Sequence, residues 1–241
     1  MEVPTWLERS ELLVGKDVLL RLQQSNILLV GLGGVGSYAG EFLVRAGIGK
    51  MTIIDGDAVD ATNKNRQLHA LNSTIGQSKA SLMANRFYDI NPDLQLTVIP
   101  QFMQPEDMRG LLEKGNFDFV LDCIDSVSPK ISLLVLASQQ QLNVISSMGA
   151  GGKKDPSLVR MVDISETKNC KLAWQIRKTL RYQGVTKGVI AVYSEELHDK
   201  AALKYTDGSN FKKSFYGTIS YMPALFGLYM ASEVIRRLGE F

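Results

Sequence analysis

Cysteine is nearly absent: Cys123 and Cys170 are the only two in 241 residues. Two thiols build neither a disulfide framework nor a paired Cys-x-x-Cys zinc site. Cys123 lies in an apolar run and reads as an inert core residue. Cys170 opens a helical pattern, and a helix N-terminus is its one source of activation. A large excess of charge is also missing. The formal net charge is +2, so whole-chain charge points to no partner. No apolar run is long enough for a bilayer. The most apolar helix candidate, Ile219 to Ile235, is interrupted by Pro223 and closed by Glu233, Arg236 and Arg237. It falls short of the roughly 20 residues a span needs, so a packed core or interface helix is expected. Met1 to Glu11 is charged and has no apolar centre, so no secretory signal and a cytoplasmic location are expected.

What is present is an ordinary globular composition, 45% hydrophobic and 22% charged, built around one stretch. Ile27 to Val30 is a short apolar run. It ends in Gly31-Leu32-Gly33-Gly34-Val35-Gly36, and a helical pattern follows from Ser37 to Ala46. Gly31, Gly33 and Gly36 fit the spacing of a dinucleotide loop. Such glycines let the backbone turn sharply and approach a ligand where N–H groups and the helix dipole favour negative charge. A second run, Met51 to Ile54, ends at Asp55. An acidic residue there, about 20 residues past the loop, suits a ribose hydroxyl.

The rest of the pattern alternates. Helices are expected over 8–24, where Gly15 interrupts a leucine-rich pattern (Leu12, Leu13, Leu19, Leu20, Leu22), and over 76–90, 105–114 and 129–141. Strands are expected over 94–99, 117–121 and 143–147. Alternating strands and helices argue a Rossmann-like, doubly wound α/β fold, a mostly parallel sheet with helices on both faces. After Met148 the rhythm changes to a smaller α+β portion with strands over 158–164 and 189–193. The expected division is a helical arm at 1–25, a nucleotide-binding portion at 26–148 and a substrate-binding and dimerisation portion at 149–241, continuous with the same fold. A mobile loop is expected over 195–215. From Gly151 to Ile190 there are nine Lys or Arg against three acids. The helix at 171–182 places Lys171, Arg177, Lys178 and Arg181 on one side with Trp174. A basic face carrying an aromatic suits nucleic acid, although a solvated face is the plainer alternative.

A glycine loop serves NAD and ATP equally well, and the downstream residues separate them. Asp55 and Asp57, Asn63 to Gln67, Gly76 to Ala80, and Asp122 to Ser126 all fall where successive parallel strands end. A guanidinium clamps a phosphate bidentately, an ammonium adds a second charge, and a carboxylate such as Asp125 holds Mg2+ between phosphates. Each residue alone has an ordinary reading. Asp57 and Asn63 could be loop or cap residues, Arg66 a surface charge, Lys79 a solvated helix residue and Asp125 a helix cap. Their convergence at strand ends is what favours ATP.

The set Gly31-x-Gly33-Gly34-x-Gly36, Asp55-x-Asp57, Asn65-Arg66-Gln67, Gly76-x-x-Lys79-Ala80 and Asp122-x-x-Asp125 resembles the ThiF/MoeB/HesA superfamily, the bacterial relatives of ubiquitin-activating enzymes. The resemblance spans residues 9–238. It implies ATP- and Mg2+-dependent adenylation of a carboxylate by a homodimer. It further implies that Asp55 binds the ribose, that Asn63, Arg66 and Lys79 hold the triphosphate, with Gln67 also nucleotide-binding, that Asp125 positions Mg2+ with Ser126 beside it, and that Arg9 reaches the partner subunit's ATP. The paired zinc cysteines of the sulfur-carrier branch are missing, which counts against activation of a ubiquitin-like tail.

Val35-Gly36-Ser37, Arg45-Ala46-Gly47-Ile48-Gly49, Asn65 to Leu71, Ile90-Asn91-Pro92, Asp125-Ser126-Val127-x-Pro129-Lys130 and Gly149 to Gly152 look more like the branch of tRNA threonylcarbamoyladenosine dehydratases. That likeness implies adenylation of the threonylcarbamoyl carboxylate on a tRNA adenosine, followed by ring closure. The tRNA is then expected on the basic segment, at Lys153, Lys154, Lys171, Lys178 and Arg181, with Lys212 and Lys213 as further contacts. His69 reads as a structural histidine and His198 has no assigned role. A monovalent cation at Gly149–Gly152 and a sulfur-transfer protein partner are left open. The competing readings are an adenylating enzyme for a carrier protein or small acid, an NAD-dependent oxidoreductase, and a non-catalytic nucleotide-binding module.

Overall fold

The computed structural model describes residues 2–197, 200–205 and 214–241. In chain order the elements are α1 (Glu8–Val14), α2 (Lys16–Gln24), β1 (Asn26–Val30), α3 (Gly36–Arg45), β2 (Lys50–Ile54), α4 (Lys79–Ile90), β3 (Gln95–Ile99), α5 (Pro105–Gly115), β4 (Phe119–Asp122), α6 (Val127–Gln139), β5 (Val144–Ser147), β6 (Val159–Asp163), α7 (Lys171–Tyr182), β7 (Val189–Ser194), β8 (Leu203–Tyr205), β9 (Ser214–Tyr216) and α8 (Tyr221–Gly239).

Seven strands form one sheet in the order β3-β2-β1-β4-β5-β7-β6. All pairs are parallel except β6 with β7. The chain winds outward from β1 to β3, then returns to start again at β4. The two halves therefore diverge between β1 and β4, the place where doubly wound sheets open a crevice at their carboxyl ends. The portion after residue 148 adds β7 and β6 to this same sheet. A small antiparallel ribbon, β8 with β9, stands apart from it.

Strand side chains alternate between two cores, one on each face. Ile27 and Leu29 of β1 join Leu19 and Leu22 of α2, Leu43 of α3, Phe87 of α4, and Phe226 and Met230 of α8. Leu28 and Val30 join Met108 and Leu112 of α5, Leu133 and Leu134 of α6, and Ile176 and Leu180 of α7. Each large aliphatic or aromatic side chain removed from water here contributes roughly 1.5–3 kcal/mol. α8 is a core helix, with Met222, Phe226, Met230 and Val234 buried. Among the described residues no helix is long and apolar enough to cross a membrane.

Several expectations are corrected. The helix expected over 8–24 is two, because Gly15 takes φ 88° and ψ 157° between them. The break leaves Leu12 and Leu13 84% and 85% exposed rather than packed. The helix expected from Gly76 starts at Lys79, capped by Ser78 Oγ accepting from Ser81 N–H at 3.3 Å. The helix expected from Pro129 starts at Val127, and proline is tolerated within a first turn. Of the loop expected over 195–215, residues 203–205 are strand and pair with 214–216. His198, Lys212 and Lys213 lie outside the described residues.

Candidate active site

The sequence's glycine loop joins β1 to α3 at the crevice. Gly31 has φ +91°, and a Cβ there would sit 2.8 Å from the Cys123 carbonyl oxygen. A Cβ on Gly36 would fall 1.8 Å from the Gly31 carbonyl. Glycine is required at both positions. The first contact also shows that the loop after β4 lies directly against the glycine loop.

Asp55 follows β2 and is buried. Its Oδ2 accepts from Leu32 N–H at 2.6 Å and its Oδ1 from Asp57 N–H at 2.8 Å. It is thus tied to the glycine loop, and each oxygen keeps a lone pair for a hydroxyl donor. Burial raises its pKa, opposed by those two N–H groups and by the charge of Lys79. Lys79, at the start of α4, is buried, and its Nζ pairs with Asp57 Oδ2 at 2.8 Å. The plainer alternative for Lys79, a solvated helix residue, therefore does not hold.

Arg66 lies on the other side of the loop. Its Cγ is 3.3 Å from where a Gly34 Cβ would be, and Gln67 Nε2 is 3.7 Å from the same position on Gly33. Arg66 Nη1 donates to the Thr62 carbonyl at 3.0 Å and to Asn65 Oδ1 at 2.9 Å. Burial lowers its pKa and the Asp125 carboxylate raises it, so the Asp125 charge is near enough to act on the guanidinium. Ser126 Oγ donates to Asp125 Oδ1 at 3.4 Å. Asn63 is buried, and its Oδ1 accepts from Asp60 N–H at 3.1 Å within a reciprocal cap. Its cap reading is thereby realised.

Gly31, Gly33, Gly34, Gly36, Asp55, Asp57, Arg66, Gln67, Lys79, Asp125 and Ser126 thus gather around one crevice. Arg9 stays outside it, exposed on α1. Among the described residues, buried polar atoms without a partner occur on three side chains, Gln23, Gln67 and His69. Gln67 Oε1 and both ring nitrogens of His69 make no hydrogen bond. Burial, then the charge of Lys79, pull the His69 pKa down to about 4, so the imidazole is neutral at ordinary pH.

One expected tRNA contact is corrected. Lys153 is 2% exposed, with its ammonium on the Glu196 carbonyl, so its charge does not face solvent. Lys154, Lys171, Lys178 and Arg181 are exposed. Lys178 Nζ lies 5.4 Å from the ring centre of Trp174. Arg177 turns inward and donates to the Thr167 carbonyl at 2.8 Å, so it leaves the basic face.

Lys130 closes the motif Asp125-Ser126-Val127-x-Pro129-Lys130. It is wholly buried on α6 and pairs with Asp122 at 2.5 Å. The signal was available, because Lys130 falls in step with Leu133, Leu134 and Ala137, the core-facing positions of α6.

Among the described residues no group of three or more His, Cys, Asp or Glu could hold a metal, so there is no all-protein cage. A lone carboxylate such as Asp125, sharing the ion with phosphates, is the way Mg2+ is ordinarily held by nucleotide enzymes.

The model of the ThiF family matches residues 7–241. A tRNA threonylcarbamoyladenosine dehydratase of Bacillus subtilis (strain 168) is 37% identical over 95% of this chain and 93% of its own. The crystal structure of E. coli tRNA N6-threonylcarbamoyladenosine dehydratase in complex with ATP superposes with TM-score 0.86 at 32% identity, covering 99% of this chain and 96% of that one. The AMP complex of the same protein gives TM-score 0.86 at 34% identity, covering 98% and 96%.

Proposed function

We propose, from the premise that this chain belongs to the ThiF family, that it is an ATP-dependent tRNA threonylcarbamoyladenosine dehydratase. The observation that carries the reading is the crevice itself. A glycine loop at the divergence of β1 and β4 is ringed by Asp55, Lys79, Arg66 and Asp125, in a chain similar along nearly its whole length to a dehydratase that binds ATP and AMP.

A carboxylate is a poor electrophile, and adenylation gives it a leaving group. One oxygen of the threonyl carboxylate attacks the α-phosphorus and pyrophosphate departs. Either adenine N6 or the carbamoyl oxygen of the urea linkage then attacks the acyl carbon and closes a five-membered ring, with loss of one N–H proton. AMP leaves with the carboxylate oxygen, so the nucleoside loses the elements of one water. Catalysis is placement and charge neutralisation at the α-phosphate. The glycine loop holds the nucleotide and Asp55 accepts from the ribose. Arg66, with Asn63 and Gln67 beside it, and Lys79, on leaving Asp57, hold the triphosphate. Asp125, with Ser126 at its side, would hold Mg2+, which would neutralise the departing pyrophosphate. The second step is intramolecular and needs chiefly a shielded pocket.

Exposed Leu12 and Leu13 on α1 support a homodimer in which that helix packs on the partner and brings Arg9 to the partner's nucleotide. Exposed Lys154, Lys171, Lys178 and Arg181 support tRNA docking along α7, with Trp174 as a stacking face. A cytoplasmic location fits a tRNA-modifying enzyme. A monovalent cation at Gly149–Gly152 and a sulfur-transfer partner rest on the resemblance alone.

The test is mass spectrometry of threonylcarbamoylated tRNA after incubation with the protein and ATP–Mg2+. Loss of one water per modified nucleoside, with matching AMP, is the expected result. Unchanged tRNA alongside pyrophosphate exchange driven by a carrier protein or small acid would overturn the substrate. Absence of AMP with every substrate would overturn the reaction.

A further inference from the structure

Behind the crevice lies a closed polar network that the reaction as described does not use. Lys130 Nζ has three acceptors, Asp122 Oδ2 at 2.5 Å, Ser147 O at 2.9 Å and Ser146 Oγ at 3.2 Å. That matches the three N–H bonds of an ammonium. Ser146 Oγ donates in turn to Asp122 Oδ2 at 2.5 Å. The other carboxylate oxygen, Asp122 Oδ1, accepts from Ile124 N–H at 3.1 Å. Lys130, Asp122 and Ser146 are each 0% exposed.

A buried ion pair is a poor device for stability, since apolar residues of similar volume commonly do as well or better. What it supplies is direction, because every bond in a satisfied network has a fixed angle. Here the direction is passed to one segment. Asp122 ends β4 and grips Ile124 N–H. Cys123 N–H donates to the Val30 carbonyl at 2.8 Å, and the Cys123 carbonyl is what excludes a side chain from Gly31. Residues 123–126 are therefore held from below by Lys130 and from the side by the glycine loop, and this segment carries Asp125.

We infer that Lys130 is a positioning residue: acting through Asp122 and Ser146, it sets the place of Asp125 at the nucleotide's phosphates. The inference rests on the adenylation reading, in which Asp125 meets Mg2+. Lys130 and Asp122 are both 0% exposed, which leaves neither open to a ligand. Both Asp122 oxygens are taken by protein donors and the side chain is 0% exposed, so Asp122 itself does not meet the metal.

Two variants of the full-length protein test this. Asp122→Asn with Lys130→Met removes both charges together, and Ser146→Ala keeps the ion pair but removes one of its clamps. Circular dichroism selects the folded protein. Hydrogen exchange over residues 123–127, without nucleotide, reads the loop. Calorimetry of ATP binding against Mg2+ concentration reads the metal, and AMP binding without metal is the control. The expected result is faster exchange confined to residues 123–127. With it, the half-saturating Mg2+ concentration for ATP binding rises about tenfold or more, the scale on which outer partners of metal ligands act. AMP affinity stays unchanged.

Unchanged exchange at 123–127 overturns the inference, and so does faster exchange with unaltered Mg2+ dependence. Failure of both variants to fold also overturns it, because the network would then serve stability alone. If ATP binding is indifferent to Mg2+ in the unaltered protein, the adenylation reading fails, and the exchange result by itself decides whether Lys130 fixes the loop.

Discussion

Two lysine–aspartate pairs stand at the carboxyl end of one sheet with β1 between them, and they are built differently. Lys130 and Asp122 are 2.5 Å apart with both side chains 0% exposed, and the lysine's remaining bonds go to Ser146 and Ser147. Lys79 and Asp57 are 2.8 Å apart, the lysine side chain 7% exposed and the aspartate 52%. In the first pair every bond is closed inside the protein, so the ammonium can only hold other groups in place. In the second the carboxylate stands half in water and is readily rehydrated, so the ammonium can pass to a phosphate at modest cost. On the proposed reading the same two residue types at equivalent strand ends do opposite work, and exposure of the aspartate decides which.

The largest expected effect separates the pairs by stability. Lys130→Met leaves Asp122 buried and unpaired, which costs about 3–5 kcal/mol. Denaturant unfolding checks this, and adding Asp122→Asn should recover a large part. Lys79→Met leaves an aspartate that water can reach, and the loss should stay near or below about 1 kcal/mol. Equal losses in the two variants would break the comparison. Activity should show the reverse contrast. Lys79→Ala, like Arg66→Ala, removes charge from the phosphates and should raise the activation barrier by roughly 2–4 kcal/mol. Tenfold loss or less in tRNA-dependent pyrophosphate exchange would show that these cations are not at the α-phosphate.

Much of this was legible in the sequence because it is local. The glycine loop, the acid after β2, the alternation of strands with helices and the core face of α6 are all set by neighbours in the chain. The pairings were not legible. Asp57 and Lys79 are 22 positions apart, and periodicity carries no signal that the start of α4 swings back over the end of β2. Lys153 read as a surface cation because its acceptor, the Glu196 carbonyl, is 43 positions away. Lys130 was half legible, since its core-facing place on α6 follows from spacing while its acceptors on β4 and β5 follow only from the sheet order. The break at Gly15 was seen as an interruption of one helix. That it leaves Leu12 and Leu13 standing off the body depends on what α1 fails to touch.

His69, a buried imidazole, feels the charge of Lys79. Its pKa is about 4 in the folded protein, against about 6.5 when unfolded. Between these values the unfolded chain binds a proton that the native protein does not. Stability is therefore full above about pH 6.5 and declines as the pH falls toward 4, by on the order of 3 kcal/mol. Denaturation midpoints across that window should fall more steeply in the unaltered protein than in His69→Gln. Removing the neighbouring charge with Lys79→Met should raise the His69 titration midpoint by NMR. Lys130→Met should leave it where it is.

The smallest effect extends the comparison to α7, where two adjacent cations divide the same way. Arg177 is turned inward onto the Thr167 carbonyl, while Lys178 lies over the half-exposed ring of Trp174. An inward cation should matter for the fold, and outward ones for a polyanion. Reversing Lys171, Lys178 and Arg181 to Glu should weaken binding of modified tRNA by roughly tenfold at low salt. It should also flatten the log–log salt dependence by about 2, since each phosphate contact contributes about 0.7–0.9 to that slope. Arg177→Gln should lower the melting temperature and leave the slope as it was, because its hydrogen bonds end on backbone carbonyls and the Thr167 hydroxyl rather than in solvent. A slope that responds to Arg177 and ignores the other three would place the tRNA on a different face, because counterion release registers only cations that face the backbone.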